Sequence, residues 1–253
     1  MDLKPVIIIA GLPSVGSTTI AKRLAGALDL KYIYVGKIFR QMCVESGYCP
    51  EDSLDTPEFE KFYKQFILEK LNNDPNIDLE VDQKIVNIIK ETTTPTIVEG
   101  RTIAALVTKE NIPVVLKIWI TSSLDIRAQR FLLKHPEYKK DLEEVKRTLI
   151  QRDKLDRERY LKLYGIDIFK PEDFNDIVID TSHLDVDQTY FELTSHPVFR
   201  DKIRLLFDFY PEYDIVYRWK CLVCNYTYEG FKPVHICPRC GNIDPAKFKD
   251  LPV

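Results

Sequence analysis

Four cysteines near the end of the chain, Cys221, Cys224, Cys237 and Cys240, form two Cys-x-x-Cys pairs with twelve residues between them. Thiolates at that spacing make two knuckles that can converge on one tetrahedral metal ion. Tetrahedral sulfur sets accept Zn²⁺ or iron. A module of about 35 residues is too small to stabilise itself by burial alone, so its folding should depend on the metal. Cys43 and Cys49 are expected to be ordinary thiols, because adding them to the cluster would require six ligands with no familiar geometry.

A second chemistry lies at the other end. Gly11-Leu12-Pro13-Ser14-Val15-Gly16-Ser17-Thr18-Thr19 follows the apolar run 6–10 and precedes an amphipathic stretch at 20–28. A buried strand, a glycine-bounded loop and a helix are the context of a phosphate-binding loop. Its backbone N–H groups and the helix N-terminus both favour an anion. The pattern G-x-x-x-x-G-K-[ST] asks for lysine at position 17, and this chain has Ser17. Thr18 stands where such a loop places the hydroxyl that ligates Mg²⁺. Taken alone, the loop is equally an ordinary strand–helix turn.

The elements that must hold these residues follow from periodicity. Apolar runs at 6–10, 31–35, 96–98, 114–120 and 177–180 read as strands, and helical patterns separate them at 20–28, 37–44, 77–90, 123–134, 141–163 and 187–193. Pro57 opens one further helical pattern, and Asp74-Pro75 breaks it. Apolar strands alternating with helices predict an α/β fold with a parallel sheet covered on both faces. Ligands bind such sheets at the carboxyl ends of the strands. The Gly11 loop, Gly36, Glu99 to Arg101 and Thr121-Ser122 all fall at strand ends, so they should share one rim. Residues 196–217 carry Phe199, Ile203, Leu206 and Phe207 at helical spacing and predict a docked helix, not a flexible linker. Three segments result: 1–195, a connecting helix at 196–217 and a four-cysteine module at 218–253.

The totals exclude some classes of function. The 253 residues are 45% hydrophobic and 30% charged, with a formal net charge of −3. That balance gives no reason to expect nucleic acid or an anionic membrane as partner. No stretch approaches the roughly 20 apolar residues of a membrane span. No basic-then-apolar signal opens the chain. A cytoplasmic protein is expected.

Transfer of a phosphoryl group between nucleotides needs positive charge in three places: at the donor phosphates, at the acceptor phosphate and at the migrating group. The Gly11 loop is the first. Arg40 and Arg101 are candidates for the second, with Glu99 beside Arg101 as a carboxylate that could hold a Mg²⁺-bound water. The third is the stretch Gln151-Arg152-Asp153-Lys154-Leu155-Asp156-Arg157-Glu158-Arg159-Tyr160, placed where a lid belongs. For the single arginines the bland alternative is a surface salt bridge. For the lid stretch it is a solvated helix laced with i,i+4 pairs.

As a set, these motifs resemble the archaeal-type cytidylate kinases. The matching residues are the loop and helix 11–21, Val35-Gly36-Lys37-Ile38-Phe39-Arg40, residues 76–82, Val98-Glu99-Gly100-Arg101, and residues 116–120, 152–160, 163–167 and 176–182. The resemblance covers roughly 1–195. It implies a P-loop nucleoside monophosphate kinase fold with a five-stranded parallel sheet. It further implies transfer of the γ-phosphoryl of ATP to CMP or dCMP with Mg²⁺. It assigns Arg40, Asp78 and Arg101 to the acceptor, residues 11–19 to ATP, and Arg152, Arg157 and Arg159 to the lid. Relatives of this type commonly carry a hydroxyl residue at the lysine position, so Ser17 is a variant of their pattern. Lys37 departs from it, standing where an acidic residue is usual, and is expected to point to solvent.

The end of the chain, Trp219 to Tyr226, Cys237 to Gly241 and Ala246 to Phe248, resembles the short rubredoxin-like domain of rubrerythrins, with Asn225 where glycine is usual. A kinase has no obvious use for an electron, which favours structural Zn²⁺ and leaves iron open. Two other functions compete. One is a nucleotide-responsive binding protein whose degenerate loop holds ATP and whose knuckle docks RNA or protein. The other is a kinase for a different nucleoside monophosphate.

Overall fold

A computed structural model describes residues 2–51, 62, 65–66, 75–136, 141–208, 217–230, 237, 239–242 and 244–251. Five parallel strands form the main sheet in the order β2-β3-β1-β4-β5. They are β1 (Lys4–Gly11), β2 (Lys31–Tyr34), β3 (Thr96–Glu99), β4 (Val114–Thr121) and β5 (Ile177–Asp180). The central strands are apolar on both faces because each face meets its own core. Ile7 and Ile9 of β1 point into one core with Leu24, Val115, Ile118 and Leu193. Val6, Ile8 and Ala10 point into the other with Val81, Ile85, Val98 and Trp119. The edge strand β5 differs, with Ile177 and Ile179 buried and Val178 exposed.

The helices are α1 (Ser17–Leu28), α2 (Val35–Glu45), α3 (Pro75–Glu91), α4 (Ile103–Lys109), α5 (Leu124–Lys134), α6 (Leu142–Tyr164), α7 (Val186–Ser195) and α8 (Pro197–Ile203). Pro75 begins α3, where the missing N–H has no intrahelical role. Helix α4 had no periodic signature because its first five residues are all buried. Apart from Phe62, Gln65 and Phe66, the helix expected after Pro57 lies outside the described residues. Helix α8 and the 3₁₀ turn Arg204–Asp208 that follows carry Phe199, Ile203 and Leu206 into the first core, as their spacing implied.

Cys43 and Cys49, expected as free thiols, form a disulfide. The cause is local. Helix α2 ends at Glu45, Gly47 adopts a positive φ of 73°, and the Tyr48 and Cys49 N–H groups both donate to the Cys43 carbonyl at 3.0 and 3.3 Å. The chain therefore folds Cys49 back over Cys43, with Cα atoms 5.6 Å apart.

The C-terminal module is a three-stranded antiparallel sheet in the order β7-β6-β8, from β6 (Tyr217–Cys221), β7 (Thr227–Gly230) and β8 (Phe248–Leu251). It is not a separate bead. Trp219 is buried in the same core as Tyr190, Leu193 and Phe199, and Tyr226 and Phe248 pack against that core.

Candidate active site and metal centre

Parallel pairing sets the strand ends side by side. Ile9 pairs with Glu99, Tyr34 with Glu99, Gly11 with Ile120, and Thr121 with Asp180. The glycine loop, Glu99 and the start of α2 thus share one rim, as the strand pattern required. A Cβ at Gly11 would come within 2.6 Å of the Ile120 carbonyl oxygen, so the loop can leave the sheet here only as glycine.

Within the loop, Ser14 and Gly16 both have positive φ, 65° and 97°. Such alternation turns successive N–H groups toward one hollow. Gly16 also caps α1 with no side chain, and with the Thr19 N–H turned back to the Gly16 carbonyl at 3.1 Å this leaves the N–H groups of Ser17 and Thr18 available to an anion. The two hydroxyls that follow converge on one carboxylate. Ser17 Oγ donates to Glu99 Oε1 at 3.0 Å and Thr18 Oγ1 donates to it at 2.7 Å. Tyr32 donates its phenol to Glu99 Oε2. Burial, and then this carboxylate, push the Tyr32 hydroxyl well above its usual range. Glu99 is only 4% exposed, and among the described residues no cation pairs with it. A buried carboxylate ringed by hydroxyls suits a hydrated divalent ion, which takes oxygen ligands and keeps waters.

The arginines lie on the same rim. Arg101 follows β3 and pairs with Asp156 of α6, which Arg159 also reaches at 3.0 Å. Burial first, and then the Arg152 guanidinium nearby, lower the Arg101 guanidinium to about 10. Arg152 itself is exposed and takes no carboxylate among the described residues. Tyr34 sits among the charges. Burial and Glu99 raise its hydroxyl, while Arg40, Arg152 and Arg101 pull it back. Arg157 is held elsewhere, on Asp167, by bonds of 2.8 and 2.6 Å. Lys37 is exposed, as expected. Asp78 lies on α3, its side chain outside the described residues.

Two residues with no motif complete the loop. Arg127 of α5 donates Nε to the Pro13 carbonyl at 2.8 Å and pairs bidentately with Asp153 of α6 at 2.7 and 2.9 Å, all buried. Arg130, one turn on, donates Nη1 to the Val15 carbonyl at 2.8 Å. Only their i,i+3 spacing directly after β4 could have marked them, and such spacing is common on exposed helices.

In the C-terminal module the Cys221 and Cys240 sulfurs are 3.7 Å apart, as are those of Cys224 and Cys237. All four lie within 4.8 Å of one another. Four sulfurs at about 2.3 Å from one ion would stand about 3.8 Å apart, so the set fits a tetrahedral metal. Against its burial, N–H groups of Cys224 and Val223 and the neighbouring thiols hold Cys221 down to about 7. Burial pushes Cys237 up to about 12.

A glycine loop after the first strand of a β2-β3-β1-β4-β5 sheet, with a carboxylate after β3 and arginines after β3 and on α6, defines a P-loop phosphotransferase. A model of the cytidylate kinase-like family matches residues 6–183, and the rubredoxin-like domain of rubrerythrin matches residues 219–249. The curated cytidylate kinase of Methanopyrus kandleri is 37% identical over 198 residues, covering 75% of this chain and 91% of that protein. That of Methanocaldococcus jannaschii is 35% identical, covering 73% and 93%. Among solved structures, TT1252 from Thermus thermophilus superposes with a TM-score of 0.45 at 13% identity, covering 77% of this chain and 98% of that one. The chain belongs to the cytidylate kinase-like family, and it carries a four-cysteine metal site at its C-terminal end.

Proposed function

We propose that this protein transfers the γ-phosphoryl group of ATP to CMP or dCMP, giving ADP and CDP or dCDP. The observation that carries this is the convergence on buried Glu99 of the Ser17 and Thr18 hydroxyls from a loop more than 80 positions away, beside the Arg101 and Arg159 pair. Membership of the cytidylate kinase-like family supports it. Residues 11–19 hold the donor phosphates through backbone N–H groups. Arg40 and Arg101 orient the acceptor phosphate, with Asp78 in the acceptor pocket. Arg152 and Arg159 neutralise charge on the migrating group, and Arg157 joins them on leaving Asp167. Mg²⁺ held by Thr18 and, through water, by Glu99 would supply electrostatic stabilisation of the phosphoryl oxygens. The kinase domain spans 1–195, the connecting helix 196–217 and the metal module 218–253. We assign Zn²⁺ to the four cysteines and the cytoplasm as location.

A coupled assay of ATP turnover with CMP, dCMP, UMP and AMP tests the activity. CMP or dCMP should turn over fastest. Turnover with AMP alone would overturn the base assignment, and ATP binding without turnover on any acceptor would overturn the enzyme. Purified protein should be colourless, since a ferric tetrathiolate is red.

A further inference from the structure

The missing lysine of the phosphate loop leaves a question of charge. Ser17 cannot answer it, because its hydroxyl is neutral and donates to Glu99. Arg127 cannot answer it either. Its guanidinium is neutralised by two bonds to buried Asp153.

Arg130 is different. Its Nη1 donates to the Val15 carbonyl at 2.8 Å and to Thr181 Oγ1 at 2.9 Å. Its Nη2 donates to the carbonyls of Thr181 and Leu184 at 2.8 and 3.3 Å. Every acceptor is a neutral oxygen, and among the described residues no carboxylate lies within ion-pair distance of it. Asp180 acts on it only from farther away and is itself engaged by Ser182. A full positive charge is therefore lodged against the back of the loop, half buried and fixed by four bonds. A Cβ built on Gly16 would stand 4.0 Å from Arg130 Nη1.

We propose that Arg130 supplies the charge that lysine supplies in other phosphate loops, delivering it through the Val15–Gly16 peptide rather than from position 17. The guanidinium draws on the Val15 carbonyl, which makes the Gly16 N–H at the other end of that peptide a stronger donor into the hollow. It also fixes the carbonyl outward, where it cannot repel a phosphate. Arg130 is thus a positioning and charge-supplying residue behind the loop and touches no reacting atom.

This inference rests on the loop binding ATP phosphates, as proposed above. The test uses the full chain with its metal and compares Arg130→Gln, Arg130→Lys, Ser17→Lys and the double variant Ser17→Lys/Arg130→Gln. Binding of ATP and of adenosine is measured by calorimetry at low and high salt, with a thermal melt for each variant. Arg130→Gln should weaken ATP binding on the order of tenfold at low salt and less at high salt, and leave adenosine nearly unchanged. Arg130→Lys should keep most of the affinity. Ser17→Lys should add little alone but restore most of the ATP affinity lost by Arg130→Gln. Unchanged ATP binding in Arg130→Gln would overturn the proposal. So would equal losses for ATP and adenosine with no rescue by lysine at position 17, since that pattern is a structural brace. A parent protein that binds no ATP would overturn the functional assignment first, and this inference with it.

Discussion

The phosphate loop and the cysteine knuckle are both short loops built to hold a charged guest, yet they are assembled in opposite ways. The knuckle draws its four ligands from twenty residues, and backbone N–H groups from its own turn tune the first of them. The loop draws its chemistry from the whole domain. Glu99 comes from β3, Tyr32 from β2, and Arg127 and Arg130 from α5, each brought in by the register of the sheet. A site made from one short stretch of chain can be moved between proteins as a unit. A site made from four elements can be perturbed from any of them.

The largest effect should come from breaking the loop at a distance. Glu99→Gln removes the carboxylate on which both loop hydroxyls and Tyr32 converge, and kcat should fall on the order of 10²–10³-fold in steady-state assays, with ATP binding changed far less. A drop below about threefold would mean that the loop is as self-contained as the knuckle.

The knuckle's independence is tested next. Trp219 is 1% exposed and lies in the kinase core. Trp219→Ala should destabilise the whole protein by about 3–5 kcal/mol in denaturant melts, a cost typical of a large buried aromatic. Stripping the metal with a chelator should lower the same single transition, because the folding of so small a sheet depends on its ion. Two separate transitions would show that the module and the domain fold apart.

The smallest effect should come from the Arg157–Asp167 pair. Arg157 holds the Asp167 carboxyl below its usual range. A depressed folded-state value means that the pair stabilises the protein above about pH 4, the usual aspartate range, and that the stabilisation is lost as pH falls through the lower folded value. Asp167→Asn should therefore lower the melting temperature by no more than a few degrees at pH 7, and the gap from the parent should close toward pH 2. Because Asp167 and Arg157 are partly exposed, the gap should also shrink in salt.

The same contrast explains what could be read from the chain. The four cysteines form a compact pattern, so residue type and spacing revealed them directly, whereas the 11–19 loop, alone equally an ordinary turn, gained its meaning only from the motifs that accompany it. Glu99 and Arg101 could be placed only because five apolar runs implied a parallel sheet whose strand ends meet. Arg127 and Arg130 look like surface charges in sequence, and only the packing of α5 against the loop makes them partners of Pro13 and Val15. The Cys43–Cys49 bond depended on a chain reversal at Gly47 that composition does not announce. Arg157 fits its motif as well as Arg159 does, yet the turn at Gly165 (φ 70°) ends α6 and the chain beyond returns Asp167 to Arg157, out of the cluster.

Helix α6 has a mechanical consequence. Asp153 and Asp156 lie three residues apart on one buried face. The first is bolted through Arg127 to the phosphate loop, and the second through Arg101 to the end of β3. A beam pinned at two neighbouring points cannot tilt about one without shearing the other. A phosphate that takes Arg101 from Asp156 withdraws one pin and leaves the other, which turns the helix from a clamped beam into a hinged one.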